Sequence, residues 1–581
     1  MISNTDIRYF FDTYYDNFMH SLAWEDHLLE PASREEWLAT LRACADDQQQ
    51  RCADNQILLE QYLYPLSSNP ALLSDEGYDL LLSFCRDFYY SNYTEPALLI
   101  RIIDILLPHY EDRSDTESLL FLYICAGFSY MELSRTGEPT SRDKTIYFYT
   151  KVLSYRDQIE FFESAASRDY IFIAYYNLIR VAPGLGILDI ETAYRLWEEL
   201  CQIRTMPKFC QYDTTNPRIP QLCDCAINDF RAYGAVLNVE RVIAPSAILS
   251  SLENMTQIYY SEILHEHGSI YECPVFTVFN YHYVQARNGT ITWEAAWQIL
   301  DDYYVHKMQT IGQVSSPDLL AFYTNLPLNL IDVLGHTHFK EEFKQATYRR
   351  YRNLITSYLM NQPASLNSYT LNNGVQLVAF HPLILGTFQN RMEKMNFIVD
   401  LVVTRHLTTF THSVMVSYLA EAIGKHILAA RPELLRIPSS YLEGNVYASP
   451  AEVLDYIVPA ALFHDIGKNG MIPIINTQHR KLNDYEFNII QTHPQKGSDY
   501  LSSDPDFLIY QPVALGHHRS YDGTRGYPLS FDNTASPYRD AIDLIHICDC
   551  LDAATDYLSR NYHRAKPFDV VLNELKAGRG T

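Results

Sequence analysis

The spacing of apolar residues predicts helices along most of the chain. Over residues 1 to about 360, apolar side chains recur every three or four residues in several segments, which is the period of an amphipathic helix. The clearest segments are 118–133, 145–162, 170–181, 189–203 and 293–308. Clusters of Gly, Pro and Asn separate them, as expected where helices end and turns begin. Extended alternating runs are rare, so the pattern predicts an all-α fold.

Two segments of this N-terminal region echo each other. Gly186 and Gly289 each open a run in which Glu, Ala, an aromatic and an aliphatic residue recur in register. The echo predicts a recurring helical hairpin in which the small alanine lets two helices approach closely. Stacked hairpins form a solenoid, and the region weakly resembles a tetratricopeptide-like array. A plain helical bundle fits the same pattern equally well.

A change in composition divides the chain. Around residues 361–368 the sequence becomes rich in Asn, Gln, Pro and Ser, which is typical of a connection between domains. Helical periodicity resumes at about residue 388. We therefore expect a helical sensory or interaction region over 1–361, of one or two subdomains, a linker over 362–387 and a second helical domain over 388–581.

Composition and charge narrow the classes of function. With 581 residues, 47% of them hydrophobic, the chain is long enough for two to four folded domains. The formal net charge of −25 disfavours binding to duplex nucleic acid or to an anionic membrane, because both need clustered Lys and Arg. No apolar run reaches the ~18 residues of a membrane span, and the N-terminus lacks the apolar core of a signal peptide. The 11 cysteines contain no CxxC pair, so a cytoplasmic protein in a reducing compartment is expected.

The last third of the chain concentrates residues that bind metals. Imidazoles and carboxylates are the ligands that first-row divalent metals prefer, and they recur at His464, Asp465, His493, His517, His518 and Asp549. Neighbouring residues on a helix point about 100° apart, so His464 and Asp465 cannot chelate one ion as an i, i+4 pair would. They suit an arrangement in which the carboxylate bridges two metals, with Lys468 as a nearby cation. Two metals favour phosphoester hydrolysis.

These motifs resemble those of the HD-GYP subgroup of the HD phosphohydrolase superfamily. The matching motifs are His464-Asp465-Ile-Gly-Lys468, Thr-His493-Pro, His517-His518, Asp522-Gly and Gly-Tyr527-Pro, in the order that the family has them. The resemblance covers about residues 390–581. It implies an all-helical domain with a centre of two or three metals. It also implies hydrolysis of cyclic dinucleotides, chiefly cyclic di-GMP and in some members cyclic GMP-AMP.

The resemblance implies roles for individual residues. One metal would be held by His412, His464, Asp465 and Asp549. Asp465 would bridge to a second metal, held also by His493, His517 and His518. Lys468 would contact the scissile phosphate, which makes Asp465 and Lys468 the catalytic candidates. Further substrate contacts are expected from Lys468, Arg519, Asp522, Gly523, Tyr527, Arg560, Tyr562 and Arg564.

Departures from the family pattern shape the expected centre. Arg519 stands where Glu is usual, and the stretch from Asp522 to Tyr527 is one residue longer. Thr408 occupies the place of a Glu that members with a third metal carry. We therefore expect two divalent ions, Fe or Mn ahead of Ni, Mg or Zn. Such a pair would generate hydroxide for in-line attack on phosphorus, while Lys468 neutralises charge on the phosphoryl oxygens.

Three functions are compatible with the sequence. The first is a metal-dependent cyclic dinucleotide phosphodiesterase of bacterial second-messenger signalling, regulated by its N-terminal helices. The second is another activity of the superfamily, on a nucleoside mono- or triphosphate, against which the Gly-Tyr-Pro element argues. The third is a catalytically weak binding or scaffold protein whose altered loop has removed turnover. A protein partner on the N-terminal helices and a homodimer also fit the pattern.

Overall fold

The computed structural model describes residues 2–27, 33–90, 95–161, 165–236, 246–310, 316–362, 369–405, 407–439, 446–471, 480–556 and 565–578. Within these ranges the regular structure is helical. The extended residues form two isolated antiparallel bridges, Pro438 with Tyr447 and Arg519 with Gly526, and no sheet. The predicted all-α fold is confirmed.

The chain divides into two compact units. One comprises Met1–Tyr9 and Tyr62–Thr347, and the other comprises Phe10–Gln61 and Tyr348–Thr581. The second unit therefore begins upstream of the predicted linker and includes an N-terminal stretch. The domain limits expected from composition stay a prediction.

The first unit consists of helices that pack against their neighbours in sequence. Its longer helices are Asp75–Tyr90, Pro96–Arg113, Thr116–Ser134, Pro139–Leu153, Ala165–Tyr176, Ile190–Arg204, Arg218–Tyr233, Ser246–His267, Val275–Arg287, Trp293–Met308, Ser316–Tyr323 and Asn325–Gly335. Short helical pieces are Tyr64–Ser68, Pro70–Leu72, Arg156–Phe161, Asn177–Val181, Ala182–Gly184, Pro207–Cys210, Tyr212–Thr215 and Ile270–Glu272. The helices Asn4–His27 and Glu341–Met360 each contribute to both units.

The two segments that echo each other in sequence share a local structure. Gly186 and Gly289 both have a positive φ, 67° and 70°, in the region that glycine adopts most easily. Three residues later an N-cap side chain accepts a hydrogen bond and starts the next helix, Asp189 in one copy and Thr292 in the other. The alanine of each copy is fully buried. The echo is thus a repeated turn and helix start, while the choice between solenoid and bundle stays a prediction.

The second unit carries the candidate chemistry. Besides Arg34–Leu58, its helices are Tyr369–Ala379, Pro382–Leu385, Arg391–Val403, Leu407–Ala430, Pro450–Phe463, Asp484–Ile490, His493–Leu501, Gln511–Gly516, Arg539–Thr555 and Phe568–Ala577. Pro432–Leu434, Ile466–Met471 and Pro505–Tyr510 form 3-10 turns, and Leu59–Leu63 is a π-helical turn. The Leu407–Ala430 helix packs against both Pro450–Phe463 and Arg539–Thr555, which brings together residues far apart in sequence.

None of the helices that the structure describes combines the length and the apolar character needed to cross a bilayer.

Candidate metal centre

Five segments of the second unit place the predicted ligands. Each ligand lies inside a helix or at its end: His412 in Leu407–Ala430, His464 and Asp465 directly after Pro450–Phe463, His493 at the start of His493–Leu501, His517 and His518 directly after Gln511–Gly516, and Asp549 in Arg539–Thr555. Helix ends suit adjacent ligands, because the backbone changes direction there and neighbouring side chains can converge. The structure brings all seven together.

Two capping boxes fix helices that lead to these ligands. Ser449 and Glu452 start the Pro450–Phe463 helix, and Asn483 and Glu486 start the helix that precedes His493. In each box the two side chains reciprocally satisfy backbone N–H groups. Both helix starts are therefore specified by local sequence.

Gly467 allows two ligand segments to touch. A Cβ atom at this position would lie 1.9 Å from the carbonyl oxygen of His493 and 2.5 Å from the backbone nitrogen of Gly497. No side chain fits that space, so the Asp465–Lys468 turn can lie against the start of the His493–Leu501 helix only with glycine at 467.

The ligand atoms form two groups. The first is His412, His464 and Asp549, and the second is Asp465, His493, His517 and His518; within each group the ligand atoms lie within 4.8 Å of one another. In the first group Nε2 of His412 is 3.0 Å from Oδ1 of Asp549. Each group is compact enough to surround one metal ion.

The two oxygens of Asp465 face different groups. Oδ2 lies 3.5 Å from Nε2 of His412 and 3.4 Å from Nε2 of His464. Oδ1 lies 3.1 Å from Nε2 of His493 and 3.5 Å from Nε2 of His517. Such a placement is what a carboxylate bridging two metals requires.

In four of the histidines Nδ1, the ring nitrogen that faces away from the centre, lies within hydrogen-bond distance of an oxygen acceptor. Nδ1 of His464, His493 and His517 lies 2.6, 2.7 and 2.9 Å from the carbonyl oxygens of Ala461, Ile490 and Ala514. Nδ1 of His412 lies 2.6 Å from Oδ2 of Asp552. A ring that donates Nδ1–H to such an acceptor, when neutral, presents the lone pair of Nε2 to the centre, which is how histidine ligands are usually oriented.

This tautomer leaves lone pairs facing one another. Nε2 of His493 is 3.2 Å from Nε2 of His517, and both approach Oδ1 of Asp465. Nε2 of His464 and Oδ1 of Asp465 are buried and make no hydrogen bond within the described part of the chain. Buried acceptors that converge without a proton between them are unfavourable unless a cation joins them. The residues present therefore fit divalent metals.

Burial and charge set the protonation of the carboxylates. Burial alone would raise the pKa of Asp465, but the Lys468 ammonium and the His464 imidazole hold that pKa well below its usual range. Burial would likewise raise the pKa of Asp549, and hydrogen bonding with His412 instead lowers it well below the ordinary value. Both carboxylates are ionised, as metal ligands must be.

Burial also keeps most of the imidazoles neutral. It lowers the pKa of His493, lowers that of His517 to about 4 and lowers that of His518 well below its usual value. His412 differs: burial opposes its protonation, but Asp549 and Asp552 raise its pKa to about 9. A metal at the first group would therefore have to displace a proton from His412.

The catalytic candidate Lys468 lies in the 3-10 turn after the bridging aspartate. Its Nζ donates to Oδ2 of Asp465 at 2.5 Å, and its side chain is 15% exposed. The ammonium thus lies next to the bridging carboxylate, on a side chain that is not fully buried.

Arg519 and Asp522, two of the residues predicted to contact the substrate, make hydrogen bonds within the loop that follows His518. The guanidinium of Arg519 donates to the carbonyl oxygens of Gly526 and Gly523. Oδ1 of Asp522 accepts hydrogen bonds from Ser520 and from the backbone of Thr524. The Tyr527 ring instead lies near the centre, described below. The predicted substrate contacts of this loop stay a prediction, and the remaining predicted contacts, Arg560, Tyr562 and Arg564, lie outside the described residues.

Two residues that support the ligands were not predicted. Asp552 pairs with Nδ1 of His412, and His546 Nδ1 lies 2.5 Å from the carbonyl oxygen of His517. Both lie one turn from Asp549 on its helix, so the i−3 and i+3 spacing around a candidate ligand was the available signal.

The family comparison matches the same part of the chain. Residues 409–560 match the model of the HD domain. This region is an HD domain. The match spans all seven candidate ligands. Metal dependence is a property of the HD family, which agrees with the paired ligand groups.

Curated relatives of the HD domain include enzymes acting on cyclic dinucleotides. A cyclic di-GMP phosphodiesterase of Vibrio cholerae is 26% identical over 44% of this chain and 56% of its own length. The cyclic di-GMP phosphodiesterase response regulator RpfG of Xanthomonas campestris is 33% identical over 22% of this chain and 33% of its own. A 3'3'-cGAMP-specific phosphodiesterase of V. cholerae is 33% identical over 19% and 24%. The chain thus spans about half or less of the length of these relatives.

Proposed function

We propose that this chain is a metal-dependent phosphodiesterase that hydrolyses a cyclic dinucleotide, cyclic di-GMP first among them. The observation that carries the proposal is Asp465, whose two oxygens face two separate histidine groups. A pair of metals at these groups would supply an activated water and positive charge for phosphoester cleavage. Named activities of the relatives, cyclic di-GMP and 3'3'-cGAMP phosphodiesterases, support a cyclic dinucleotide as substrate.

The residues of the chain divide the work. His412, His464 and Asp549 would hold one metal, and His493, His517 and His518 the other, with Asp465 between them. Backbone carbonyls would keep His464, His493 and His517 in the ligand tautomer, and Asp552 would do the same for His412. Lys468 would hold a non-bridging phosphoryl oxygen, since its ammonium lies beside the bridging carboxylate on a partly exposed side chain and would neutralise charge that grows there.

The donor set supports Fe or Mn as the metals, with Ni, Mg or Zn as alternatives. Imidazole and carboxylate without thiolate favour Fe or Mn over metals that seek sulfur. We propose that these ions are loaded in the cytoplasm and that the N-terminal helices receive a regulatory partner.

The test is turnover of cyclic di-GMP and 3'3'-cGAMP by the full chain under anaerobic conditions with Mn²⁺ or Fe²⁺. Asp465→Asn keeps the volume of the side chain but removes the bridging charge, so we expect at least about a 100-fold loss in kcat, the scale of lost electrostatic stabilisation in active sites. Asp543→Asn, a change to a carboxylate on the Asp549 helix outside the ligand set, is the matched control and should keep activity.

Two outcomes would count against the proposal. Metal-loaded protein that turns over neither dinucleotide would favour a binding protein, particularly if it still binds the nucleotide. Turnover that survives in Asp465→Asn would place the chemistry elsewhere.

A further inference from the structure

One histidine of the centre lacks the anchor that the others have. Nδ1 of His412, His464, His493 and His517 is held by a hydrogen bond, as described above. Within the described residues no hydrogen bond reaches the ring of His518, whose Nδ1 has only an ionic contact at 3.8 Å with Oδ2 of Asp549. Its side chain is also 22% exposed, whereas those of His464, His493 and His517 are fully buried.

An aromatic ring lies beside the imidazole of His518. The centroid of the Tyr527 ring lies 4.6 Å from that of His518, with the planes inclined by 33°. The same tyrosine approaches His493 edge-on, at 6.1 Å and 80°. Aromatic rings at these separations attract each other beyond the effect of burial, so the Tyr527 ring restricts the rotation of the partly exposed imidazole.

The loop that carries Tyr527 is built to hold this ring. The backbone N–H of Tyr527 donates to the carbonyl oxygen of His518 at 3.3 Å. Gly526 before it has φ +86°, and a Cβ there would lie 1.9 Å from that same oxygen. The turn can therefore fold back onto the ligand only with glycine at this position.

Arg519 fastens the other side of the loop. Its side chain is 4% exposed, and its guanidinium donates to the carbonyl oxygens of Gly526, at 3.1 Å, and of Gly523. An antiparallel bridge also joins Arg519 to Gly526. A buried guanidinium with two backbone acceptors is an internal brace, and an acidic side chain at this position could donate to neither carbonyl.

We propose that Tyr527 and Arg519 are positioning residues for the ligand His518. Tyr527 orients the imidazole by ring contact, and Arg519 keeps Tyr527 in place by fastening the loop. The inference rests on the metal centre of the proposed function and not on the identity of its substrate. It predicts that the two metal groups respond differently to a change in this loop, because only the second contains His518.

The experiment measures metal binding to the full chain. Co²⁺ binding is followed by the absorption spectrum of the ion, and Mn²⁺ binding is followed by electron paramagnetic resonance. Tyr527→Leu should weaken one of the two binding steps, that of the group containing His518, 10–100-fold, the usual effect of losing support around a metal ligand, and leave the other step unchanged. Tyr527→Phe keeps the ring and should bind as the wild type does. Arg519→Met should weaken the same binding step, although it changes neither His518 nor the Tyr527 ring.

Tyr521→Leu is the matched control. This tyrosine belongs to the same loop, but its ring lies under the guanidinium of Arg539 rather than on a ligand. Equal affinities of Tyr527→Leu and wild type would overturn the inference, as would an equal loss at both steps. If Tyr527→Leu fails to fold, the comparison of Arg519→Met with Tyr521→Leu decides. If Tyr527→Leu weakens one binding step as expected but the wild-type protein turns over no cyclic dinucleotide, the result would contradict the proposed function and not this inference.

Discussion

At the scale of single residues, charge and hydrogen bonding explain why the ligands could be found from sequence and their supports could not. Histidine and aspartate are residue types that bind metals, so the sequence alone marks His464, Asp465 and His517 as candidate ligands. The support of His412 by Asp552 depends on a contact between residues 140 positions apart. Apart from its place one turn after Asp549, nothing in the sequence distinguishes Asp552 from a surface carboxylate.

A buried amide beside the centre gives a prediction about stability. Asn469 is 3% exposed, and neither atom of its side-chain amide has a hydrogen-bonding partner among the described residues. Removing an unpaired buried polar group can stabilise a fold. We expect Asn469→Leu to raise the free energy of unfolding by about 1 kcal/mol, measured by urea denaturation.

Asn533→Leu is the comparison for this substitution. Asn533 is also fully buried, but its Nδ2 donates to the carbonyl oxygen of Ser520 at 3.0 Å. Oδ1 of Asn533 has no partner among the described residues, but the replacement also takes the donor from the partly buried carbonyl oxygen of Ser520, so it should lower stability by about 1 kcal/mol. Similar losses for both substitutions would show that Asn469 has a partner.

A lysine near the metal turn gives a prediction about pH. Burial lowers the pKa of Lys496 to about 8, only partly offset by Asp499. The unfolded chain keeps this proton to a higher pH than the folded chain does. The burial of the charged ammonium therefore lowers stability by its full amount below pH 8, and this loss disappears as the pH rises toward 10.5. Lys496→Met should therefore stabilise the fold at pH 7, on the order of 1–3 kcal/mol, and much less at pH 10.

Denaturation at several pH values tests this, with Lys481→Met as control. Lys481 is exposed, so the same change there should leave stability nearly constant across the range. A benefit from Lys496→Met that is equal at pH 7 and pH 10 would show that packing, and not charge, is responsible.

At the scale of elements, apolar spacing located helices better than their ends. The predicted segment 293–308 coincides with the Trp293–Met308 helix, but the predicted 145–162 is divided, since the helix ends at Leu153 and a 3-10 turn follows at Arg156–Phe161. Both helix types place residues i and i+3 on one face, so periodicity cannot separate them. The predicted linker likewise contains the Tyr369–Ala379 helix, whose Gln376 donates to the carbonyl oxygen of Asn469.

The helix before His493 depends on a buried ion pair. Arg480 donates to both oxygens of Glu486 at 2.7 and 2.9 Å, and both side chains are at most 7% exposed. Glu486→Gln preserves the capping geometry but removes the charge of Glu486 that pairs with the buried guanidinium. We expect a loss on the order of 2–4 kcal/mol in the free energy of unfolding, together with weaker metal binding at the His493 group.

The other capping box provides the control. Glu452 has the same role at the start of the Pro450–Phe463 helix, but it accepts from the hydroxyl of Ser439 and not from a buried arginine. Glu452→Gln should therefore have a much smaller effect in the same denaturation experiment. If the two substitutions cost the same, the cap and not the ion pair is the source of stability.

At the scale of the whole molecule, the metal centre joins parts of the chain that composition does not connect. The order of the motifs indicated an HD domain, but the inclusion of Phe10–Gln61 in the same compact unit had no signal in the sequence. Contacts between distant segments depend on shape complementarity, which apolar spacing does not report. Family resemblance located the site and divided its ligands into two groups, and the structure gives the distances between the ligand atoms of each group.

Bound metal should stabilise the segments of the chain that supply its ligands. Ligands from five segments must stay together for the ions to remain bound, so metal should suppress local opening of those segments. At about 100 times its dissociation constant, a bound metal stabilises the state that binds it by ~2.7 kcal/mol. Hydrogen exchange with Mn²⁺ against exchange with a chelator should show slower exchange in the Leu407–Ala430, Pro450–Phe463 and Arg539–Thr555 helices. Helices of the first unit, such as Thr116–Ser134, should exchange equally in both conditions, and protection spread evenly over both units would show that the ions act beyond the unit that holds their ligands.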